Sequence, residues 1–407
     1  MVPPNDTLPL SNGTLPEIWK NEPLPSTLTN PDLPKGNGKY ILAFWHSGIE
    51  NLPPYLLRNV VAWYRRFSPL GWTVYVLDTV PQSPLNISRF IDTNDPSVAP
   101  AVLNAGGIGG QFVSQHTSDL IRYPMLLNYG GVYLDVGILQ FSDLDRLWTE
   151  HIGNKNSPYD FSGFTLGPLP DGLSIVNFAF MSTPNNPLVL RAHKILLKLW
   201  QGKTSTRGMH AHPLVDHVPL MAVPEDVAVE GDPSRLTVND GIMTDYAIQI
   251  QAMGSAQRWL DTEGGWDGPQ YVREHCWLYN MLDMAYVSEK MTGWNGSRAF
   301  QLLSLNLPKS GEQETADQKL ASDIVEKSVA ESCCLKLMHG FSATIFGGDT
   351  LGMLWRKNVD SDAKQDTYAA YLRSLASRST QVELPKPVCI PSYVATKVAS
   401  LDKHLSE

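Results

Sequence analysis

From Lys39 onward the chain alternates short apolar runs with amphipathic stretches. Tyr40-Ile-Leu-Ala-Phe-Trp45 is an uninterrupted apolar run, stopped by His46-Ser-Gly48, and predicts a buried strand. Pro53-Pro54 opens a helix whose apolar positions Leu56, Leu57, Val60, Val61 and Tyr64 recur at helical spacing, with Arg58, Arg65 and Arg66 between them. Trp72-Thr-Val-Tyr-Val-Leu77 is a second strand, ending at Asp78. Strand, helix, strand is a βαβ unit, which predicts a parallel sheet with flanking helices. Farther on, residues 114–129 read as a helix that stops at Gly130-Gly131, where a left-handed or closely approached backbone is needed. Val132–Asp135 and Ser174–Met181 read as strands, and Pro187–Trp200 as a helix with Arg191, Lys194 and Lys198. Asp240–Met253, Ser322–Ser332 and Thr367–Ala376 also read as helical. The fold class expected is α/β, a Rossmann-like, mixed and mainly parallel sheet flanked by helices. A Pro-rich irregular arm over 1–38 precedes a catalytic domain over 39–360, and a C-terminal helix and tail cover 361–407.

Composition narrows the class. The 407 residues are 43% hydrophobic and 18% charged, a globular balance. A net charge of −9 argues against a generally basic surface for nucleic acid, though a local basic groove stays open. The four cysteines, Cys276, Cys333, Cys334 and Cys389, form no C-x-x-C pair and suggest a reduced protein. No apolar run approaches the roughly 18 residues of a membrane span, and the start has neither the basic nor the apolar region of a signal peptide. A cytoplasmic protein with no membrane contact and no stable protein partner is expected. The sequons at Asn5, Asn12, Asn86 and Asn295 would then be silent.

Candidate chemistry concentrates between Ser118 and Gly137. Asp119 and Arg122 stand three apart on a helix and so face one side. The Gly-Gly break lets the next strand deliver Asp135 toward them, at the strand end where ligands sit in open α/β sheets. Ser118 is either a nucleophile or a helix-start serine. Asp143-Leu-Asp145 is either a second acidic pair of the site or a helix start before Leu147-Trp148. Gly106-Gly-Ile-Gly-Gly110 lacks the spacing of a phosphate cradle and reads as a loop. His210, His212 and His217 lack a fourth zinc ligand nearby and read as a polar loop, and Cys333-Cys334 as inert thiols.

The stretch Thr117-Ser-Asp-Leu-Ile-Arg122 followed by Gly130-Gly-Val-Tyr-Leu-Asp-Val-Gly137 resembles the sugar-donor site of a GT-A glycosyltransferase family. That family includes yeast initiating mannosyltransferases, clostridial glucosylating toxins and capsular-polysaccharide synthesis proteins. Phe44-Trp-His-Ser-Gly48, Pro184-Asn-Asn-Pro187 and Lys336-Leu-Met-His339 match it more loosely. The resemblance implies a GT-A-like fold, with Asp119 and Arg122 on the donor sugar and Asp135 on ribose or metal. It also implies Trp45 and His46 beside the ligand, with Trp45 either stacking on a base or packing in the core. Where the family pattern places the second acid of D-x-D, this chain has Gly137, leaving Asp135 and His339 as a poor set for a hard cation.

The missing acid favours a glycosyltransferase scaffold put to another use. The pattern F-W-H-S-G, T-S-D-L-x-R, G-G-x-Y-L-D-V-G and S-D-L-D is also similar to the fungal arginine-containing cyclodipeptide synthases. That resemblance implies arginyl-tRNA and a second aminoacyl-tRNA as partners, cyclo(Arg-Xaa) as product and no cofactor. Asp119, Asp135, Asp143 and Asp145 would pair with the arginine guanidinium. A tRNA would lie against Arg58, Arg65, Arg66, Lys194 and Lys198. The alternative is a glycosyltransferase using a nucleotide sugar with Mn²⁺ or Mg²⁺.

Overall fold

The computed structural model describes residues 23–36, 38–166, 174–221, 240–339, 348–378, 381 and 383–406. Most of the expected arm, residues 1–22 with the sequons at Asn5 and Asn12, lies outside the described residues. Its later part lies on the sheet edge: Leu28 is fully buried, and the Asp32 carbonyl accepts from the Tyr75 hydroxyl at 2.7 Å.

A six-stranded sheet forms the centre. The first four strands along the chain are β1 (Tyr40–Phe44), β2 (Thr73–Leu77), β3 (Gly131–Leu134) and β4 (Ile138–Gln140). They are followed by β5 (Phe161–Thr165), β6 (Ile175–Ser182), β7 (Trp259–Asp261) and β8 (Trp266–Asp267). The last three are β9 (Cys276–Asn280), β10 (Cys334–Lys336) and β11 (Lys397–Val398). The central order is β2-β1-β3-β6-β5-β9. β1 pairs in parallel with β2 and β3, and β5 with β9, while β6 runs antiparallel to both its neighbours. The sheet is therefore mixed and mainly parallel, and flanked by helices, as the GT-A-like fold class requires. β7, β8 and β11 form a separate small sheet.

The expected helices form at Pro54–Phe67, Val113–Tyr129, Pro187–Trp200, Ala316–Glu331 and Tyr368–Arg378. The stretch expected as one helix from Asp240 is two, Asp240–Tyr246 and Ile248–Arg258, because Ala247 leaves helical geometry at φ −98°, ψ 30°. Two glycines place the site's main strand. Gly130 and Gly131 have φ +66° and +92°, and a Cβ on Gly131 would come within 2.4 Å of the Tyr40 carbonyl oxygen. Only glycine lets β3 lie against β1 there.

A buried charge cluster ties the helix Tyr368–Arg378 to Pro54–Phe67. Asp362, fully buried, accepts from Arg58 at 2.6 Å and forms an ion pair with Arg373 at 2.8 Å. Arg373 also donates to the Asn59 side chain and to the Tyr55 carbonyl.

Candidate functional site

A cavity of about 460 Å³ opens at the C-terminal ends of β1 and β3. Trp45 and His46 follow β1 into it, and Asp135, Val136 and Gly137 follow β3. The helix Val113–Tyr129 contributes Ser118, Asp119 and Arg122, and β6 contributes Asn177. That helix carries the polar trio on a buried face, since Ser118, Asp119 and Arg122 are all buried.

Arg122 organises this wall. Its Nη2 lies 3.0 Å from Asp119 Oδ1, 2.8 Å from Ser118 Oγ and 3.8 Å from Asp135 Oδ1, while Nη1 donates to the Asn177 carbonyl. The guanidinium stacks 4.5 Å from the Tyr133 ring centroid. Burial works against its charge, but Tyr133, Asp119 and Asp135 outweigh that and raise its pKa. Asp119 Oδ1 also accepts from the Asn177 side-chain amide at 3.0 Å. The Tyr133 hydroxyl lies 2.6 Å from Ser118 Oγ and donates to Asp135 Oδ1 at 3.3 Å. Ser118 is thus committed to hydrogen bonds with Tyr133 and Arg122.

Another cation of the site comes from far along the chain. β10 pairs antiparallel with β4, Lys336 opposite Ile138, and this register sets Lys336 Nζ 2.6 Å from Asp135 Oδ2. Burial pushes the Asp135 carboxyl up, but Lys336 and Arg122 more than reverse it, so the group is held below the usual carboxylate range. His339 sits beside them, its Nε2 2.7 Å from the Tyr55 hydroxyl. Burial, with Lys336 and Arg356 nearby, lowers the His339 pKa to about 3, so the ring is neutral.

These residues do not fit a hard divalent cation. Asp135 is already engaged by Lys336 and Arg122, and His339 by Tyr55. Gly137 offers no ligand, and even a Cβ there would lie 3.0 Å from the Leu337 carbonyl oxygen. Among the described residues no group of three or more His, Cys, Asp or Glu side chains is arranged to hold a metal.

Asp143 and Asp145 are not brought to the cavity. Asp143 accepts from the backbone N–H groups of Asp145 and Arg146 as a helix cap, and Asp145 pairs with Lys39 at 2.5 Å and with the Trp72 indole at 2.9 Å. His210 pairs with Asp245, apart from His217, whose ring packs on Trp259. Sequence reasoning missed Asn177, Lys336, Tyr55, Tyr246 and Arg356 in the cavity wall. The only signals for them were a strand period at Asn177 and the loosely matching Lys336-Leu-Met-His339.

Residues 21–208 match the family model described as capsular polysaccharide synthesis protein. The chain is 34% identical to glycosyltransferase afumC of Aspergillus fumigatus, over 86% of this chain and 87% of that protein. It belongs to the same family of fungal glycosyltransferases. O-glycosyltransferase braB of Annulohypoxylon truncatum is 32% identical over 84% of this chain and 80% of its own. O-glycosyltransferase PaGT of Phomopsis amygdali is 30% identical over 98% and 97%. No solved structure matches the chain significantly.

Membership of this glycosyltransferase family corrects the expectation of a cyclodipeptide synthase fed by arginyl-tRNA and a second aminoacyl-tRNA. The geometry gives the physical reason. Of the four acids expected to hold a guanidinium, two lie outside the cavity, and the other two are neutralised by Arg122 and Lys336. The expected tRNA face fails similarly. Arg58 points inward to Asp362, Arg66 donates to the carbonyls of Gln140, Phe141 and Ser142, and Lys194 pairs with Asp402. Among the described residues, no helix is long and apolar enough to cross a membrane.

Proposed function

We propose that this family member transfers a sugar from a nucleotide-sugar donor to a hydroxyl group of a small acceptor. The observation that carries the reading is the cavity at the C-terminal ends of β1 and β3, walled by the Asp119–Arg122 pair and Asp135. Two relatives are named O-glycosyltransferases, which supports oxygen as the acceptor atom. Asp119 binds sugar hydroxyls, held in place by Arg122 and Asn177. Fixing a polyhydroxylated donor between rigid, mutually bonded groups limits the orientations it must lose before reaction. Asp135 orients the ribose side of the donor. Trp45, half-buried at the cavity mouth with its indole N–H donating to the Asn51 carbonyl, offers a fixed ring face to the base.

The test is to incubate purified protein with separate nucleotide sugars and follow release of the nucleoside diphosphate, with and without a panel of hydroxylated acceptors. Release with one donor, accelerated by an acceptor and accompanied by a product heavier by one glycosyl unit, is the expected result. No release from any donor defeats the reading.

A further inference from the structure

Resting on the nucleotide-sugar reading above, we infer that Lys336 is a catalytic residue that takes the place of a divalent cation, its ammonium group neutralising the departing diphosphate. Three observations meet here. The position that would supply a second acidic ligand is Gly137, which has no side chain to offer, and a Cβ there would stand 3.0 Å from the Leu337 carbonyl oxygen and 3.5 Å from the His339 ring. The β4–β10 pairing delivers a fixed ammonium, 2.6 Å from the one remaining acid, Asp135. Finally, among the described residues the charged side chains lining the cavity are Asp119 and Asp135 against Arg122, Lys336 and Arg356, three cations to two anions. A site that recruits a dication needs an excess of carboxylate. The described lining of this one has an excess of positive charge, which repels a metal ion and attracts a diphosphate.

In the transfer step the bond between the sugar C1 and the diphosphate oxygen breaks, its electron pair remaining on the diphosphate. The acceptor oxygen forms the new bond to C1, and its proton leaves to water. One extra negative charge thus appears on the diphosphate, beside Lys336. Asp135 holds Lys336 in place beforehand, so little reorganisation is needed as that charge develops. The ammonium is a point charge with three donors and suits phosphate oxygens of varying direction.

The test uses the full chain in EDTA. Wild type, Lys336→Ala and Lys336→Arg are compared for turnover with the accepted donor, and for binding of the nucleoside diphosphate and of the nucleoside alone by calorimetry. We expect wild-type turnover to survive EDTA unchanged, and Lys336→Ala to lose about a hundredfold in kcat. Diphosphate affinity should fall at least about tenfold in Lys336→Ala while nucleoside affinity is unchanged, since only the charge-assisted contact is lost. Lys336→Arg, which keeps the charge, should recover most of both. Loss of wild-type turnover in EDTA with restoration by Mn²⁺, or equal diphosphate binding by wild type and Lys336→Ala, overturns the inference and leaves the glycosyltransferase reading standing. Absence of turnover and binding with every nucleotide overturns both. Should Lys336→Ala fail to fold, the EDTA arm and the arginine variant still decide.

Discussion

Arg122 illustrates how one side chain can be part of both the site and the scaffold. Its guanidinium meets Asp119, Ser118, the Asn177 carbonyl and the Tyr133 ring while almost wholly buried. Lysine cannot reproduce that planar fork, and it would leave Asp119 partly unpaired in a buried wall. Arg122→Lys should therefore lose most turnover and about 3 kcal/mol of stability, measured by donor turnover and by urea denaturation. Asp135→Asn separates the two roles. Asp135 is part-exposed to the cavity, so the fold should survive, with a melting temperature somewhat below wild type for the lost pairing with Lys336, while kcat drops about a hundredfold. Near-normal turnover in a stable Asp135→Asn protein would remove that residue from the active site. The acids and arginine of this wall were legible because they lie within one stretch, 119–135, at spacings helix geometry converts into proximity. Lys336 was not legible in the same way, since 201 residues separate it from Asp135 and only strand pairing joins them.

At the scale of elements, the sequence marked β1, the helix Pro54–Phe67 and β2 because βαβ units carry apolar runs and caps close together. It also marked β6 as a strand, but not its antiparallel direction, which depends on where the chain returns rather than on its local pattern. β5 went unrecognised because Phe161-Ser-Gly-Phe-Thr165 has no clear period of two, its burial coming from strands on both sides. The Asp143–Asp145 pair shows the converse: a literal D-x-D is used to start a helix, and burial and partners, not spelling, decide its role. The Gly130-Gly131 break, by contrast, reads the same in sequence and structure. Gly131→Ala would drive a methyl into the Tyr40 carbonyl at a positive φ, so β3 must separate from β1. We expect a loss of about 3 kcal/mol or more, or no soluble protein; denaturation midpoints close to wild type would show that β3 shifts without cost.

For the whole molecule, buried titratable groups set opposing slopes of stability with pH. Burial lowers His193 to about 4, and the unfolded chain takes up a proton there near 6.5. Its contribution is fully present above pH 6.5 and is lost as pH falls toward 4. His217, lowered to about 4 mainly by burial, and His339, lowered to about 3, add to the same acid-side loss. Glu289 acts oppositely. Burial raises it to about 8, so its contribution is present below the unfolded value near 4.5 and is lost as pH rises through 8. Melting temperature measured from pH 4 to 9 should pass through a maximum between these limits. Glu289→Gln should flatten the limb above about pH 6.5 and steepen the rise between 4.5 and 6.5, whereas His193→Gln should change only the acid limb. A Glu289→Gln profile that still falls as steeply above the maximum would show that another group sets that limb.

The late arrival of β10 has a consequence for biosynthesis. As the chain leaves the ribosome, Asp135 and its helix partners emerge long before residues 334–336, and β4 must wait with an open edge for its pairing strand. During that interval Asp135 lacks its ammonium partner, and Leu139, fully shielded in the finished protein, lies on an unpaired strand. Nascent chains arrested after residue 330 should be cleaved by a protease within β4, whereas chains extended past residue 378, with the Arg373–Asp362 tie in place, should resist. Equal protection at both lengths would mean that the first three hundred residues already close on themselves.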